Sequence, residues 1–264
     1  MPDWLAAALI AFGVATITTP AGVSGAVFLL PVQVTLLHVP NPALSPTNLL
    51  FNVVATPGAL LRFARRDGSL LRAPLTRLIL AGSLPGVVLG AILRVELLSS
   101  RRTFLFVIAA VLAPLGLMLL RDQRSRRRVN AVRDATAPGR WIVPVAAGVG
   151  MIGGIYGIGG GSLLSPLLVS AGFTVAAVAP AALTSTFVTS VVGIAAFQLL
   201  ALAHGGGEQI APEWATGLAL GAGGLAGSYL GATLQPRIPE AVLRRLLGVA
   251  CILIAGRYLV EAIG

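Results

Sequence analysis

The sequence contains no lysine, one cysteine, two histidines and only 11% charged residues. Each shortage removes a class of chemistry. The lone Cys251 can form no intramolecular disulfide, and no neighbouring charge would make it a thiolate, so a packed or lipid-facing helix position is expected. One cysteine with the isolated His38 and His204 offers no metal-ligand spacing. The run Gly157 to Ser162 has the flavour of a phosphate loop, but it lacks the lysine of a Walker A motif and follows no soluble strand. No nucleotide site is implied. Gly22-Val23-Ser24-Gly25 matches the G-x-S-G of intramembrane serine proteases, yet such an enzyme needs a histidine deep in a neighbouring helix, and both histidines fall at expected loop ends. Neither a catalytic residue nor a cofactor is expected.

What the sequence does contain is apolar: 56% of the residues are hydrophobic, and the nine acidic and nineteen basic residues sit in short clusters between apolar stretches. That is the pattern of a chain whose helices are solvated by lipid. The net charge of +10 does not imply nucleic acid as a partner, because the arginines concentrate in loops flanking hydrophobic spans, where the positive-inside rule accounts for them. The opening Met-Pro-Asp-Trp carries an acid and no base, the wrong start for a cleaved signal peptide, so the first span is expected to be retained.

Apolar stretches that can be helical run over 4–19, 23–37, 46–62, 74–93 and 103–120, then 141–155, 160–172, 179–203, 213–234 and 241–260. The expected fold is an all-α polytopic membrane protein of two inverted five-segment repeats. A full crossing takes about 20 residues, so the first two segments of each half are short, and a glycine-rich turn breaks each pair. The turn Gly157-Ile158-Gly159-Gly160-Gly161-Ser162-Leu163-Leu164-Ser165-Pro166 has a degraded copy at Gly22-Val23-Ser24-Gly25-Ala26-Val27-Phe28-Leu29-Leu30-Pro31. Further on, residues 81–93 align with 222–234, and eight of those thirteen positions are identical. Gly86-x-x-x-Gly90 and Gly227-x-x-x-Gly231 within them are small-residue helix contacts. The halves are 1–120 and 141–264, joined by an Arg-rich linker at 121–140.

Arginine placement gives the sidedness. With five segments per half, fifteen arginines fall on the cytoplasmic side and four, Arg94, Arg101, Arg102 and Arg257, face outward. The basic loop Arg62 to Arg72 then corresponds to His204 to Glu213, which has no basic residue, so equivalent loops take opposite sides. Both termini are expected outside, in a cell (inner) membrane. Trp4, Trp141 and Trp214 each start an apolar stretch, where interfacial aromatics belong.

A broken helix inside a membrane exposes backbone groups that must find partners, so it persists only around protein or a water-filled cavity. Helices starting near Ser24 and Gly159 would present unpaired N–H groups and a partial positive charge at mid-membrane, and two such ends facing each other would bind an anion. The spans that follow add polar groups: Thr47, Asn48 and Asn52, and at the aligned positions Thr184, Ser185, Thr186 and Thr189. The expected substrate site comprises Ser24, Gly25, Asn48, Asn52, Gly159, Gly160, Gly161, Ser162, Thr184, Ser185 and Thr189.

The turns at 157–166 and 22–31, the Ala-Leu-Thr-Ser-Thr stretch at 182–186 and the duplicated architecture resemble the TauE/SafE sulfite exporter family over essentially the whole chain. The first turn departs from the pattern, with Ser24 and Ala26 in place of glycines. The resemblance implies an integral membrane carrier of sulfite, sulfoacetate or another small sulfur-containing anion, working by alternating access. A passive anion channel and an uptake carrier share nearly every sequence feature.

Overall fold

The computed structural model describes residues 3–68, 73–98, 101–121, 139–171, 173–204 and 210–263. Among them lie ten α-helices and no strand. They are α1 (Asp3–Thr18), α2 (Ala26–Thr35), α3 (Asn41–Asp67), α4 (Pro74–Glu96), α5 (Arg101–Arg121), α6 (Ile142–Tyr156), α7 (Leu164–Ser170), α8 (Val175–Ala203), α9 (Trp214–Leu234) and α10 (Glu240–Ile263). The linker expected at 121–140 falls outside the described residues from 122 to 138, as do residues 205–209 of the loop before α9 and the side chain of Cys251.

Every apolar stretch of the sequence carries a helix, but two long helices begin earlier than hydropathy marks them. Helix α3 starts five residues before 46 because Pro42 lies in its first turn, where a missing N–H removes no hydrogen bond. Helix α8 starts four residues before 179, behind an N-cap at Thr174 whose hydroxyl accepts the Ala177 amide at 3.4 Å. Three segments are long and apolar enough to cross a membrane by length and composition: Trp4–Ala21, Pro74–Glu96 and Val175–Ala203. Helix α3 is long enough but polar, because Ser45, Asn48, Asn52 and Thr56 are turned inward and buried. The outward surface is the reverse, with Leu61, Leu199, Leu202, Leu253 and Val260 all exposed. An interior richer in polar groups than the perimeter is the arrangement lipid selects.

Packing exchanges elements between the halves. Helix α1 packs on α9 and α6 on α4; α3 packs on α9 and α8 on α4; α2 lies against α3 and α7 against α8. The pairs α3 with α8 and α5 with α10 close the arrangement. Swapping the halves therefore maps the pattern onto itself.

Glycines make the exchanged contacts close. A methyl group at Gly82, Gly86 or Gly90 of α4 would overlap the carbonyl oxygen of Val143, Ala147 or Met151 in α6. On α9, Gly223, Gly227 and Gly231 meet the backbone of Ala8, Phe12 and Thr16 in the same way. Both glycine series are thus helix contacts, as their spacing indicates. In each pairing residue numbers rise together, so α1 runs parallel to α9 and α6 runs parallel to α4. Since the Glu213 amide, at the start of α9, donates to Thr47 Oγ1 near the start of α3 at 2.8 Å, α1 and α3 begin at one end of the bundle. Helix α2 must return the chain to that end. By the same reasoning α7 returns the chain to the end from which α6 entered, because His204 after α8 reaches Glu96 at the end of α4, 3.2 Å away. Each short pair leaves from and returns to the same end of the bundle.

Gly13 in α1 and Gly148 in α6 have nothing within 4 Å of an added methyl group. Gly13→Ala and Gly148→Ala are expected to leave stability unchanged or raise it by about 1 kcal/mol through helix propensity, read as equal or higher melting temperatures in detergent.

Candidate functional site

The two glycine turns meet in the interior. Helix α6 ends on Gly157, whose φ of 70° is left-handed, and the Gly157 and Ile158 amides both fold back to the Gly153 carbonyl. The first copy ends a 3-10 turn at Thr19–Ala21 with Gly22 at φ 74°. From there the copies diverge. Gly159 is left-handed again, at φ 73°, whereas the equivalent Ser24 is not among the positive-φ residues. A second left-handed residue keeps the second chain out of helix until Leu164, while the first resumes helix at Ala26. This corrects the expectation that helices begin at Ser24 and Gly159: both residues lie in the turns themselves. It also explains why α7 has seven residues and α2 has ten.

Hydrogen bonds join the turns directly. The Ser24 amide donates to Ser162 Oγ at 3.3 Å, and Ser165 Oγ donates to the Ala21 carbonyl at 2.5 Å. Asn52 of α3 bridges both: its Oδ1 accepts the Ser24 hydroxyl, and its Nδ2 donates to the Gly157 carbonyl at 3.2 Å. Asn48, one turn earlier, donates to the Ala26 carbonyl at 3.0 Å and the Tyr156 carbonyl at 3.5 Å, while its Oδ1 accepts Gln33 Nε2 at 2.9 Å. From α8, Thr189 Oγ1 accepts the Gly160 amide at 2.9 Å. Ser162 and Thr186 share a hydroxyl contact at 3.2 Å, and Ser185 meets Ser83 of α4 at 2.9 Å. A methyl group at Gly160 would touch that same Ser83. Gly25 caps α2 between Val14 and Phe51, and Gly161 presses on Ala182.

All the expected site residues except Thr184 therefore belong to one buried polar cluster. Thr184 is half-buried and returns its hydroxyl to the Pro180 carbonyl of its own helix at 2.8 Å. Four residues went unmarked in the sequence. Ser83 was masked by the repeat, where glycine is its counterpart, and Ser45, whose hydroxyl donates to the Ile155 carbonyl at 2.7 Å, sits in the turn of helix that hydropathy missed. Gln33 closes α2 on Asn48. Ser190, four residues after Thr186, lies against Gly159 with its buried hydroxyl unpartnered among the described residues. The i, i+4 spacing of Thr186 and Ser190 was the available signal.

Donor accounting shows what the cluster offers. The hydroxyls of Ser24, Ser162 and Thr189 donate to protein acceptors. By contrast, the amides of Gly159 and Gly161 in the second turn, and of Gly25 in the first, donate to no backbone carbonyl among the described residues. Buried amides seek acceptors. Arg94, counted in the sequence among the outward-side arginines, is buried in the last turn of α4. Among the described residues no carboxylate is buried.

Asn52→Leu is expected to cost about 1–3 kcal/mol, because it orphans the Gly157 carbonyl and the Ser24 hydroxyl together. Chemical denaturation in detergent would read the loss, and an unchanged midpoint would mean that the turns do not depend on α3.

Apolar helices around a polar heart of broken segments define a polytopic membrane transporter. The family model for the sulfite exporter TauE/SafE matches residues 7–258, and the chain belongs to that family. No curated protein and no solved structure matches the chain.

Proposed function

We propose that this transporter exports a small sulfur oxyanion or organosulfonate, such as sulfite or sulfoacetate, by alternating access. The anion is held where the two turns meet. The observation that carries this reading is the set of buried turn residues Gly25, Gly159 and Gly161, whose amides donate to no backbone carbonyl among the described residues, with the unpartnered Ser190 hydroxyl beside Gly159. An oxyanion of sulfur presents several acceptors in a small volume and suits such a donor set. Ser24, Gly25, Asn48, Asn52, Gly159, Gly160, Gly161, Ser162, Ser185 and Thr189 form or brace the site; Thr184 acts only through its helix.

The two halves are inverted repeats in this reading. Support comes from helix direction: α3 begins where α4 ends, α8 also ends there, and α3 and α8 therefore run in opposite senses. The end with Arg62, Arg65, Arg66 and Arg237 is cytoplasmic by the positive-inside rule, which puts the start of α1 and the end of α10 outside an inner membrane. Rocking of α1, α3 and α9 as one packed unit on α4, α6 and α8 as the other, around the turns, opens each side in alternation. Export fits the charge balance: an anion leaving a cell that is negative inside gains about 2.3 kcal/mol per charge per 100 mV, so no coupling ion is required, and among the described residues no buried carboxylate offers a proton carrier.

The test is flux in proteoliposomes loaded with sulfite, sulfate, thiosulfate or small sulfonates. Saturable efflux with counterflow of one of these anions is expected. Flux that rises linearly with concentration and shows no counterflow would make the protein a pore.

A further inference from the structure

Arg94 is the only charged side chain among the buried residues described. It sits in the last turn of α4, at the end of the bundle where α3 begins. Its Nε donates to Ser45 Oγ at 3.2 Å, one guanidinium nitrogen donates to Asn41 Oδ1 at 3.0 Å and its carbonyl at 2.8 Å, and another reaches the Leu98 carbonyl. Ser45 in turn donates to the Ile155 carbonyl, two residues before Gly157. One side chain thus ties the end of α4 to the start of α3 and, through a single hydroxyl, to the foot of the second glycine turn.

The repeat supplies the comparison. The offset that aligns 81–93 with 222–234 carries Arg94 onto Gln235, just after α9. Gln235 Nε2 donates to the Pro20 carbonyl at 2.9 Å, two residues before Gly22. Equivalent positions therefore hold the foot of each turn at opposite ends of the bundle, one by a branched cationic clasp and the other by a neutral amide. No symmetry of the fold requires that difference.

We propose that Arg94 is a latch that closes the outer end of the transport path and is released by the transported anion, with Gln235 as its weaker inner counterpart. This rests on the alternating-access reading given above. With the foot of the second turn held through Arg94 by several bonds and the foot of the first held by Gln235 through one, the resting protein opens towards the cytoplasm and loads there. An anion moving outward from the turns meets the guanidinium next. Its oxygens outcompete Ser45 and Asn41 for the fork, because a charged acceptor binds guanidinium more strongly than neutral ones do. The clasp then opens behind the departing solute. Arg94 is accordingly a gating and positioning residue at the exit, distinct from the amides that bind the anion at the centre.

The test is accessibility, which needs no transport. In a Cys251→Ser background, a reporter cysteine at buried Leu49 lies one helical turn inward of Ser45 on α3. It is labelled with a membrane-impermeant maleimide in reconstituted full-length protein, with and without sulfite. Slow labelling accelerated by sulfite is expected of the parent. R94Q should label about tenfold faster, the scale of losing hydrogen bonds to a charged group, and should no longer respond to sulfite. R94K, which keeps the charge and loses the fork, should label at an intermediate rate with the response retained, and it carries the test if R94Q proves unstable. Parental labelling rates in both variants would overturn the latch, as would a sulfite response surviving in R94Q. Failure of the export reading is a separate result: absent sulfur-anion flux in the parent removes the substrate assignment, while the labelling rates without sulfite still decide whether Arg94 closes that end.

Discussion

Gly160→Leu is expected to stop anion efflux while leaving a folded, membrane-inserted protein. The position is suited to this separation because of what surrounds it. A side chain there meets Ser83 Cβ at 2.7 Å, which moves only with the α4 backbone, Thr189 Cγ2 at 3.3 Å and Gly150 Cα at 3.4 Å, so the turn must shift to admit it, though by less than a clash with a carbonyl oxygen would require. At neighbouring Gly161 a methyl group would instead overlap the Ala182 carbonyl, a backbone atom that cannot yield. Gly159 is unsuitable for another reason, since its φ of 73° strains any L-residue whatever the space. Gly160 is not among the positive-φ residues, so leucine adds bulk and little backbone strain. That bulk separates the turn from α8, lengthens the Gly160 amide to Thr189 contact and fills the space in front of the adjacent amides. Misplacing a binding constellation by about 1 Å costs on the order of a hundredfold in enzyme rates, and a comparable fall in efflux from proteoliposomes is expected. Gel filtration and circular dichroism should be unchanged. Wild-type efflux from this variant would take the second turn out of the transport path.

How far the sequence could be read depended on whether a feature was local. Hydropathy located all ten helices of the described residues, because a lipid-solvated helix announces itself over its whole length. It misplaced the starts of α3 and α8, where Pro42 and Thr174 decide the boundary and polar residues hide it. The left-handed glycines of the turns were legible from composition, but the shift of helix start between Ser24 and Gly159 was not, since it hangs on one residue's φ. Asn48 with Asn52, and Ser185 with Thr189, were legible because i, i+4 spacing puts each pair on one face of its own helix. Thr184 shares their chemistry, and only the rotation of α8 shows that it turns back to Pro180. Arg94 was read as a topological charge because charge near a helix end usually is one. Its burial is a tertiary fact, created by α3 starting early and bringing Asn41 and Ser45 alongside it.

The largest loss of stability is expected from Gly86→Leu and its counterpart Gly227→Leu. Lipid tails are as apolar as leucine, so no hydrophobic gain holds helices together in a bilayer, and association rests on close packing and interhelical hydrogen bonds. In this protein the closest packing is between halves: α4 of the first grips α6 of the second, and α9 of the second grips α1 of the first. At Gly86 the surface met is the Ala147 carbonyl and the Met151 amide, and at Gly227 it is the Phe12 backbone. No rotamer change relieves a clash with backbone, so the helices must separate along their length. Overpacking a core typically costs about 1–3 kcal/mol where side chains can adjust, and the absence of that freedom puts these variants at or beyond the upper end. Loss of monodisperse protein, or a steep fall in melting temperature, is the expected result for each variant alone. The consequence for function differs from that of Gly160. Because α1 and α6 carry the chain into the glycine turns, loosening either pair displaces a turn as well, so anion transport and fold should be lost together. A Gly86→Leu protein that remained monodisperse with an unchanged melting temperature would show that α4 and α6 are not in contact, and the exchange of short helices between halves would fall with it.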